Sequence, residues 1–427
     1  MSTRSTGSAR RILRALHGAA AAALCTACAP SAAPPERIVL VVVDTLRADP
    51  LSPYGGSVPT PNIEALARRG QVFSHAVSSF HQTSMTMASL FTGRTPSLET
   101  GRPADALDWT GRNWCGMRRF GSDAGDGACI PEGLPTLAAA LRDAGYWTAG
   151  VATNAFLFRP SGYEVGFEGW AEVGDPPRPE EFQVAPRPQA QDAEQANRAA
   201  AGLLARRPSD RFFLYVHYMD VHDYELTGPS YAASVARVDR AVGELLGLLR
   251  EHSLLDGSVV IVTSDHGERL GESHLVEGTT HHLGNPSFEE LLRVPLIVAP
   301  PLPGVDSDAP LRSDDVHRLI RRIAGAPAGP AGDLEDGELF LSEAAWQTYR
   351  RGRWKSFRAR SGEPLLLVDL DADPGERRDV ASLHPEVAAE HARRIDDLTA
   401  RLGAGDVPPS RLTPDEERRL RGLGYLE

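Results

Sequence analysis

The sequence predicts an α/β fold: a mixed, mostly parallel sheet with helices on both faces, followed by a small C-terminal α+β subdomain. Residues 38–43 and 259–263 are short runs dominated by β-branched side chains, a pattern typical of strands buried on both faces. Helical patterns lie between such runs, and the amphipathic stretch 234–250 is the clearest of them. Strands that alternate with helices in this way form parallel sheets, because each helix returns the chain to the same edge.

The remaining elements continue this alternation. Helices are predicted over residues 62–69, which follow a proline, and 136–144, which stop at a glycine. Further strands are predicted over residues 145–153 and 212–217. Residues 100–133 are rich in Gly, Asp and Arg, and residues 175–191 are rich in Pro, which indicates surface insertions. In the C-terminal part, short strands are predicted over residues 339–342, 354–358 and 365–369, and a closing helix over 385–402.

The chain of 427 residues divides into three predicted parts. Residues 1–28 are predicted to be a signal peptide, because four arginines precede an alanine-rich stretch at 19–24 that is too short to span a membrane. The segment LCTAC at 24–28 is similar to a bacterial lipoprotein cleavage site with Cys28 as the lipidated residue, and an ordinary cleaved signal is the alternative. Residues 36–330 are predicted to form the main domain and 335–427 the C-terminal subdomain. We therefore expect an exported protein that is periplasmic, anchored to a membrane as a lipoprotein, or secreted.

The net charge and the cysteines indicate which partners and which redox environment to expect. Lys and Arg total 45 against 57 Asp and Glu, a net charge of −12, so nucleic acid is not an expected partner. Two cysteines, Cys115 and Cys129, lie beyond the predicted signal segment in a Gly-rich loop. Because exported proteins meet oxidising conditions, we expect one local disulfide between them.

Polar side chains follow three of the predicted strands where each strand ends. Carboxyl ends of parallel strands meet at one edge of a sheet, so these side chains are expected to lie together there. A single Asp after a strand is commonly a helix cap, and His217, within an apolar run, fits an ordinary buried imidazole. Three clusters at three strand ends instead indicate a site for a divalent cation. The candidate residues are Asp44 after the first strand, His217, Asp220 and His222 after another, and Asp265 and His266 after a third.

Four segments in this order resemble the sulfatases and their relatives in the alkaline phosphatase superfamily. They are residues 43–49 (VDTLRAD), 88–94 (ASLFTGR), 264–268 (SDHGE) and 288–297 (FEELLRVPLI). Residues 368–370 (VDL), 373–376 (DPGE) and 420–426 (LRGLGYL) are similar to the terminal subdomain of bacterial sulfatase-like proteins. The resemblance implies an alkaline phosphatase-like fold from about residue 36 to the end, with the main domain as the catalytic domain.

The chain departs from typical sulfatases at the position that those enzymes oxidise to formylglycine. Alignment on the ASLFTGR segment places Thr83 at that position, with Met85 and Met87 where the family has Pro and Arg. Thr45 replaces the second Asp of the usual pair, and the Lys-Trp-His triplet is absent near residues 150–154. The resemblance therefore points to a branch without formylglycine.

Within the superfamily, phosphodiesterases and phosphoethanolamine or glycerophosphate transferases use a Thr alkoxide on a metal cation. Thr83, Asp44, Asp265 and His266 match that arrangement, which implies Thr83 as nucleophile and ligand beside two carboxylates and an imidazole. Ser84, one position along, is the alternative nucleophile. Oxygen ligands suit Ca²⁺, Mg²⁺ or Mn²⁺ and imidazole suits Zn²⁺, so the metal is left open.

The resemblance also assigns roles to three further residues. His222 is similar to the His that touches the transferred group, and Asp220 is a candidate for a second metal position. His282 is favoured over His281 as another active-site His, with paired surface histidines as the alternative. The implied function is a metal-dependent hydrolase of sulfate or phosphate esters. A transferase of the phosphoethanolamine or glycerophosphate type, or an inactive binding protein with this fold, are the alternatives.

Overall fold

The computed structural model describes residues 33–95, 130, 133–159, 161–174, 193–276, 281–282, 286–332, 334–342, 346–359 and 361–402. The predicted signal segment with Cys28, the expected Cys115–Cys129 pair and the segment 420–426 lie outside these residues.

Seven strands of the described chain form one mixed sheet in the order β2-β8-β7-β1-β6-β4-β5. Strand β1 pairs in parallel with β6 and β7, and Val43 lies opposite Tyr218 on one side and Ser264 on the other. The predicted mostly parallel sheet is confirmed, and β8 is antiparallel to β7. The strands of this part of the chain are β1 (Arg37–Val43), β2 (Gln71–Val72), β3 (Ala76–Val77), β4 (Trp147–Ala152), β5 (Gly169–Glu172), β6 (Phe212–Tyr218), β7 (Ser258–Ser264), β8 (Leu296–Ala299) and β9 (Leu311–Arg312), with β3 and β9 forming a separate pair.

Helices cover both faces of this sheet. Alternate side chains of the central strand, β1, are therefore buried on opposite sides. Val39, Val41 and Val43 share one apolar layer with α1, α4 and α6. Leu40 and Val42 share the other layer with α2, α3 and α8. The helices are α1 (Pro61–Arg69), α2 (Thr83–Thr92), α3 (Leu137–Asp143), α4 (Ala193–Leu204), α5 (Tyr224–Thr227), α6 (Tyr231–Glu251), α7 (Glu289–Leu292) and α8 (Ser313–Ala324).

Helix α2 is buried along its whole length, so it is held by the core rather than by an amphipathic face. It ends at Gly93, whose φ of 70° is a left-handed conformation that favours glycine. A Cβ at this position would lie 2.7 Å from the ring of His317, so the close packing of α2 on α8 also requires glycine here. The helix thereby presents its first residue, Thr83, at the carboxyl edge of the sheet.

The C-terminal part forms an antiparallel sheet of four strands, β10 (Glu338–Ser342), β11 (Trp346–Arg351), β12 (Trp354–Ala359) and β13 (Leu366–Asp369), followed by α9 (Pro385–Leu402). Phe340 and Tyr349 pack with Ile395 and Leu398 of α9. Strand β11 was not among the predicted elements. Its sequence, WQTYRR, carries three buried residues followed by two arginines, which lacks a continuous apolar run.

A buried ion pair joins this sheet to the main domain. The ammonium of Lys355 on β12 lies 2.9 Å from Glu289 of α7 and 2.8 Å from Glu376, and the Lys355 side chain is fully buried. The described residues from Pro35 onward belong to one compact unit. Within the described residues, no helix combines the length and apolarity needed to cross a bilayer.

Candidate active site

Four of the predicted site residues meet where β1, β7 and α2 converge. The Oγ1 atom of Thr83 lies 3.3 Å from Oδ2 of Asp44 and 3.3 Å from Nε2 of His266. The same His266 nitrogen is 3.6 Å from Oδ2 of Asp265. All four residues are buried. Because Asp44 and Asp265 directly follow neighbouring parallel strands, the register of the sheet brings their carboxylates together.

The turn after β1 orients the carboxylate of Asp265. Thr45 adopts a φ of 56°, a strained conformation for a β-branched residue. In this conformation its amide donates to Oδ1 of Asp265 at 3.1 Å, and its hydroxyl donates to the carbonyl of Asp44. The amide of His266 also donates to Oδ1 of Asp265, at 2.8 Å. Oδ1 of Asp265 is thus held by two backbone amides, which leaves Oδ2 directed into the site.

The carboxylates of Asp44 and Asp265 and the neutral imidazole of His266 together favour a bound cation. Oδ1 of Asp44 and Oδ2 of Asp265 have no hydrogen-bond donor among the described residues. Burial and the neighbouring charge of Asp265 raise the pKa of Asp44 well above its usual value. Burial lowers the pKa of His266 to about 4, so this imidazole is neutral near pH 7. Its Nδ1 donates to the carbonyl of Gly267, which leaves a lone pair on Nε2 facing the carboxylates.

The donor set therefore fits a divalent metal ion. Ligand atoms of Asp44, Asp265 and His266 all lie within 4.8 Å of one another. Two buried carboxylates that face each other without a counter-ion are costly, whereas a bound cation is stabilised by both. Asp44, Asp265, His266 and the Thr83 hydroxyl are the residues that would hold it.

Asn154 is a fifth member of the site that the sequence analysis did not select. Its amide donates to Oδ2 of Asp44 at 2.9 Å and lies 3.4 Å from Oγ1 of Thr83. The signal for it was present, because Asn154 follows β4 at the same sheet edge as the other strand-end residues. It also caps a short 3₁₀ turn, accepting from the amide of Phe156, so its side chain is fixed at both ends.

Histidines form one wall of the site. The rings of His266 and His282 lie 4.6 Å apart, and those of His222 and His282 lie 5.4 Å apart. Nδ1 of His282 is 3.2 Å from a buried carboxylate oxygen of Glu268, which the sequence analysis also missed. His282, rather than His281, is fully within this cluster, since Nδ1 of His281 is 4.0 Å from Glu268.

His222 and His282 differ in their protonation state. Burial alone would lower the pKa of His222, but its hydrogen bond to Asp223 and the charge of Asp44 raise it to about 9. Burial and the charge of His222 lower the pKa of His282 well below its usual value. At neutral pH the site therefore holds one imidazolium beside one neutral imidazole.

Asp220 does not join the cation cluster. Its Oδ2 accepts from the amide of Ala193 at 2.8 Å, and its Oδ1 lies 3.2 Å from the guanidinium of Arg237 on α6. The second metal position at Asp220 stays a prediction, and in this structure the Asp220 carboxylate contacts Ala193 and Arg237 instead of the cation cluster. A residue two positions beyond a strand end can turn away from the site, and here the partner on α6 decides its direction.

The remaining candidate residues occupy distinct positions. Ser84 offers its carbonyl to the hydroxyl of Tyr163, whereas the hydroxyl at the carboxylates is that of Thr83. Met85 and Met87 are buried in the apolar layer beneath α2, so no guanidinium stands at the aligned Arg position. His217 is buried as expected, with Nδ1 2.8 Å from Oγ1 of Thr153 and Nε2 3.6 Å from Oδ2 of Asp44. Burial lowers its pKa to about 4.

The structure thus places a hydroxyl, two carboxylates and histidines at the carboxyl edge of a mostly parallel α/β sheet. A model of the sulfatase family matches residues 36–316. The chain belongs to the sulfatase family, as the sequence motifs predicted.

Individual relatives agree with this assignment. A steryl-sulfatase of Rattus norvegicus is 24% identical over 269 residues, covering 47% of this chain and 46% of that protein. The chain thus spans about half the length of that relative in the match. Among solved structures, a 2-O GAG sulfatase has a TM-score of 0.67 at 17% identity, covering 90% of this chain and 96% of that one. A phosphonate monoester hydrolase of Agrobacterium radiobacter has a TM-score of 0.61 at 18% identity, covering 86% and 96%.

Proposed function

We propose that this protein hydrolyses phosphate or sulfate esters through Thr83, with a divalent cation held by Asp44, Asp265 and His266. The observation that carries the proposal is the position of the Thr83 hydroxyl, 3.3 Å from both a carboxylate of the cation cluster and the imidazole beside it. A buried hydroxyl at the first turn of a helix has no structural need for two such neighbours.

The chain's own groups can divide the reaction into two displacements. The Thr83 hydroxyl gives its proton along its hydrogen bond to Asp44 as Oγ1 bonds to phosphorus or sulfur, while the bond to the leaving oxygen breaks. The imidazolium of His222 supplies the proton that the leaving alkoxide takes up. Water then displaces Thr83 from phosphorus or sulfur and gives one proton to the neutral imidazole of His222, while the proton held by Asp44 returns to Oγ1 of Thr83. The step releases the product anion and restores the hydroxyl, the carboxylate and the imidazolium. A divalent cation, when bound, supplies positive charge that stabilises the alkoxide and the ester oxygens.

Positioning of the nucleophile is the role we assign to Asn154. Its amide holds Oδ2 of Asp44 and approaches Oγ1 of Thr83 from the same side. Because the two contacts share one planar amide, the carboxylate and the hydroxyl keep a fixed relative orientation. A small displacement of a reacting group is costly in rate, so this restraint contributes to catalysis.

Among esters, we favour phosphate over sulfate. Thr83 cannot be converted to formylglycine by the route that Cys or Ser follows, and Met87 provides no charge for an aldehyde hydrate. The resemblance to phosphodiesterases and transferases that use a Thr nucleophile supports phosphoryl transfer. The fold likeness to a phosphonate monoester hydrolase is compatible with this preference.

Enzymatic assay of matched variants tests the proposal. Purified protein is incubated with 4-nitrophenyl phosphate, bis(4-nitrophenyl) phosphate and 4-nitrophenyl sulfate in the presence of Zn²⁺, Mn²⁺, Mg²⁺ or Ca²⁺. We expect phosphate-ester hydrolysis that Thr83→Ala lowers by at least about 1,000-fold, that Thr83→Ser retains in part, and that the neighbouring Ser84→Ala leaves nearly unchanged.

Each contrary outcome has a definite meaning. Activity in Thr83→Ala equal to the wild type would contradict the nucleophile, and exclusive hydrolysis of the sulfate would contradict the preference for phosphate. Trapping with a slow substrate adds a phosphoryl mass to the peptide that contains Thr83. A group passed to an added alcohol instead of water would identify a transferase, and wild-type inactivity on every ester would favour a binding protein.

Export remains part of the proposal. A leader at residues 1–28 with lipid attached to Cys28 places the enzyme outside the cytoplasm, where Cys115 and Cys129 can oxidise to a disulfide. Mass analysis of protein recovered from an exporting bacterial host measures the cleavage of the leader, the lipid on Cys28 and the disulfide. Unprocessed protein with both thiols free would contradict them.

A further inference from the structure

Glu268 is a buried carboxylate that the proposed mechanism does not use. Its side chain is 1% exposed, and its Oε2 lies 3.2 Å from Nδ1 of His282. Its other oxygen, Oε1, accepts from the amide of Arg269 at 3.1 Å. A buried carboxylate requires hydrogen-bond donors, since it carries lone pairs and no hydrogen when ionised. Glu268 is therefore placed to accept a hydrogen bond from His282.

The backbone around Glu268 is fixed by close packing. A Cβ at Gly267 would lie 1.9 Å from the carbonyl oxygen of Glu290, so only glycine fits between His266 and Glu268. The Arg47 guanidinium donates to the Glu268 carbonyl at 3.1 Å. Because this turn also carries His266, the carboxylate of Glu268 keeps a fixed position beside the proposed cation site.

The contact with Glu268 bears on the tautomer of His282. A neutral imidazole has one N–H, and when Nδ1 carries it and donates to the carboxylate, the other ring nitrogen, Nε2, carries a lone pair. The centroid of the His282 ring lies 5.4 Å from that of His222 and 4.6 Å from that of His266. An acceptor on His282 is therefore next to the imidazole that exchanges protons with the leaving oxygen and then with water.

Such an acceptor distinguishes the oxygens that enter and leave the site. The leaving oxygen of the ester carries no hydrogen when the first displacement begins, so it has nothing to donate to Nε2 of His282. The attacking water has two hydrogens, of which one passes to His222 and the other can donate to Nε2. An alcohol has a single hydroxyl hydrogen, which passes to His222, so an alcohol cannot make the second contact.

We propose that Glu268 is a positioning residue that holds His282 with its hydrogen on Nδ1, and that the acceptor on Nε2 selects water over an alcohol as second substrate. The inference rests on the proposed function, since it takes the Thr83 ester as given, and it assigns a hydrolase rather than a transferase. The bond between Oγ1 of Thr83 and phosphorus breaks as the water oxygen bonds to phosphorus. One water hydrogen goes to His222, the other stays on the product, and the proton held by Asp44 returns to Thr83.

Nuclear magnetic resonance tests the tautomer without reference to activity. Full-length protein with isotopically labelled histidine is treated with EDTA, and the shifts of its ring nitrogens distinguish Nδ1–H from Nε2–H. The spectrum of His282→Gln assigns the signals. We expect His282 of the wild type to carry its hydrogen on Nδ1. In Glu268→Gln, one amide oxygen replaces two carboxylate oxygens that face the Arg269 amide and Nδ1, so His282 should shift toward the Nε2–H form.

Partition of the Thr83 ester between two acceptors tests the selection of water. Bis(4-nitrophenyl) phosphate is turned over in water with added methanol, and mass analysis gives the ratio of 4-nitrophenyl phosphate to its methyl ester. This ratio does not depend on the fraction of active protein, so a merely structural defect leaves it unchanged. We expect Glu268→Gln to lower the preference for water by about 5-fold, because one hydrogen bond is lost.

Glu272 provides a matched control on the same loop. Its carboxylate contacts the guanidinium of Arg47 instead of an imidazole of the site. Glu272→Gln is therefore expected to leave both the tautomer of His282 and the ratio of products unchanged.

The outcomes separate this inference from the proposed function. A wild type with the His282 hydrogen on Nε2 would overturn the inference at any level of activity. If Glu268→Gln lowers turnover but keeps the wild-type ratio of products, the inference is overturned although the proposed function stands. If the wild type hydrolyses no ester, the proposed function fails and the selection of water fails with it. If circular dichroism shows that Glu268→Gln does not fold, Glu268→Asp, whose shorter side chain withdraws the carboxylate from His282, replaces it in both measurements.

Discussion

Replacing Asp265 with Asn should change stability in opposite directions with and without metal. Oδ1 of Asp265 accepts from two backbone amides, and an Asn carbonyl oxygen can keep both hydrogen bonds. The group that changes is Oδ2, which has no donor among the described residues. Asp265→Asn therefore preserves the turn while it removes one of two facing buried carboxylates.

The size of the effect follows from the separation of the charges. Ligand oxygens of Asp44 and Asp265 lie within 4.8 Å of each other, and both side chains are fully buried. At an effective dielectric constant of about 20, two unit charges at this distance repel by about 3 kcal/mol. In EDTA, Asp265→Asn should raise the free energy of unfolding by up to about this amount.

The pH dependence has a definite sign. Asp44 has a raised pKa in the folded protein, because of burial and then the charge of Asp265. As pH rises above the usual Asp value near 3.8, the unfolded chain loses this proton first, so the metal-free fold loses stability. Removing the charge of Asp265 brings the Asp44 pKa down, and the loss of stability with pH becomes shallower.

Urea unfolding followed by circular dichroism measures these differences, at several pH values in EDTA and again with Zn²⁺. Saturating metal at about 100 times the dissociation constant should stabilise the wild type by about 2.7 kcal/mol, and Asp265→Asn should gain little. A variant less stable than the wild type in EDTA would show that the carboxylates do not repel. Equal stabilisation of both proteins by Zn²⁺ would show that Asp265 is not a ligand.

Three further predictions concern other contacts. Asn154→Ala should lower ester hydrolysis by about 100-fold, because Thr83 and Asp44 lose the amide that orients them; a kcat equal to the wild type would contradict this. Lys355→Met should lower the free energy of unfolding in urea by about 3–5 kcal/mol, because the buried carboxylate of Glu376 loses the ammonium, whereas Glu289 keeps its ion pair with Arg350; a loss below about 1 kcal/mol would show that Glu376 does not depend on Lys355. Burial and then the charge of Glu289 raise the pKa of Glu376 to about 7, although Lys355 opposes them. Stability should therefore fall as pH rises from about 4.5 to about 7, and Glu376→Gln should flatten that fall in pH-dependent unfolding, whereas an unchanged slope would exclude Glu376 as its source.

The architecture was largely readable from local patterns. The apolar run at 38–43 became β1, the helical stretch 234–250 lies within α6, and the closing helix occupies Pro385–Leu402 as predicted. Hydrophobic periodicity did not predict helix α2, because a helix that is buried on all sides has no polar face. Strand β11 was not predicted, because two of its six residues are arginines at the more exposed end of the strand.

Asp44, Asp265 and His266 were accessible to sequence reasoning because they lie within two residues of the end of a buried strand, and parallel strands end at one edge. The direction of side chains farther from a strand end was decided by contacts distant in sequence. Asp220 turns to Arg237 of α6, whereas Asn154 reaches Asp44, 110 residues away along the chain. Local periodicity specifies which face of an element is buried, but the direction of a loop side chain depends on partners that only the packed chain brings near. The sequence alone thus determined the sheet, its edge and the core residues of the proposed cation site, and tertiary packing decided which neighbouring polar groups surround them.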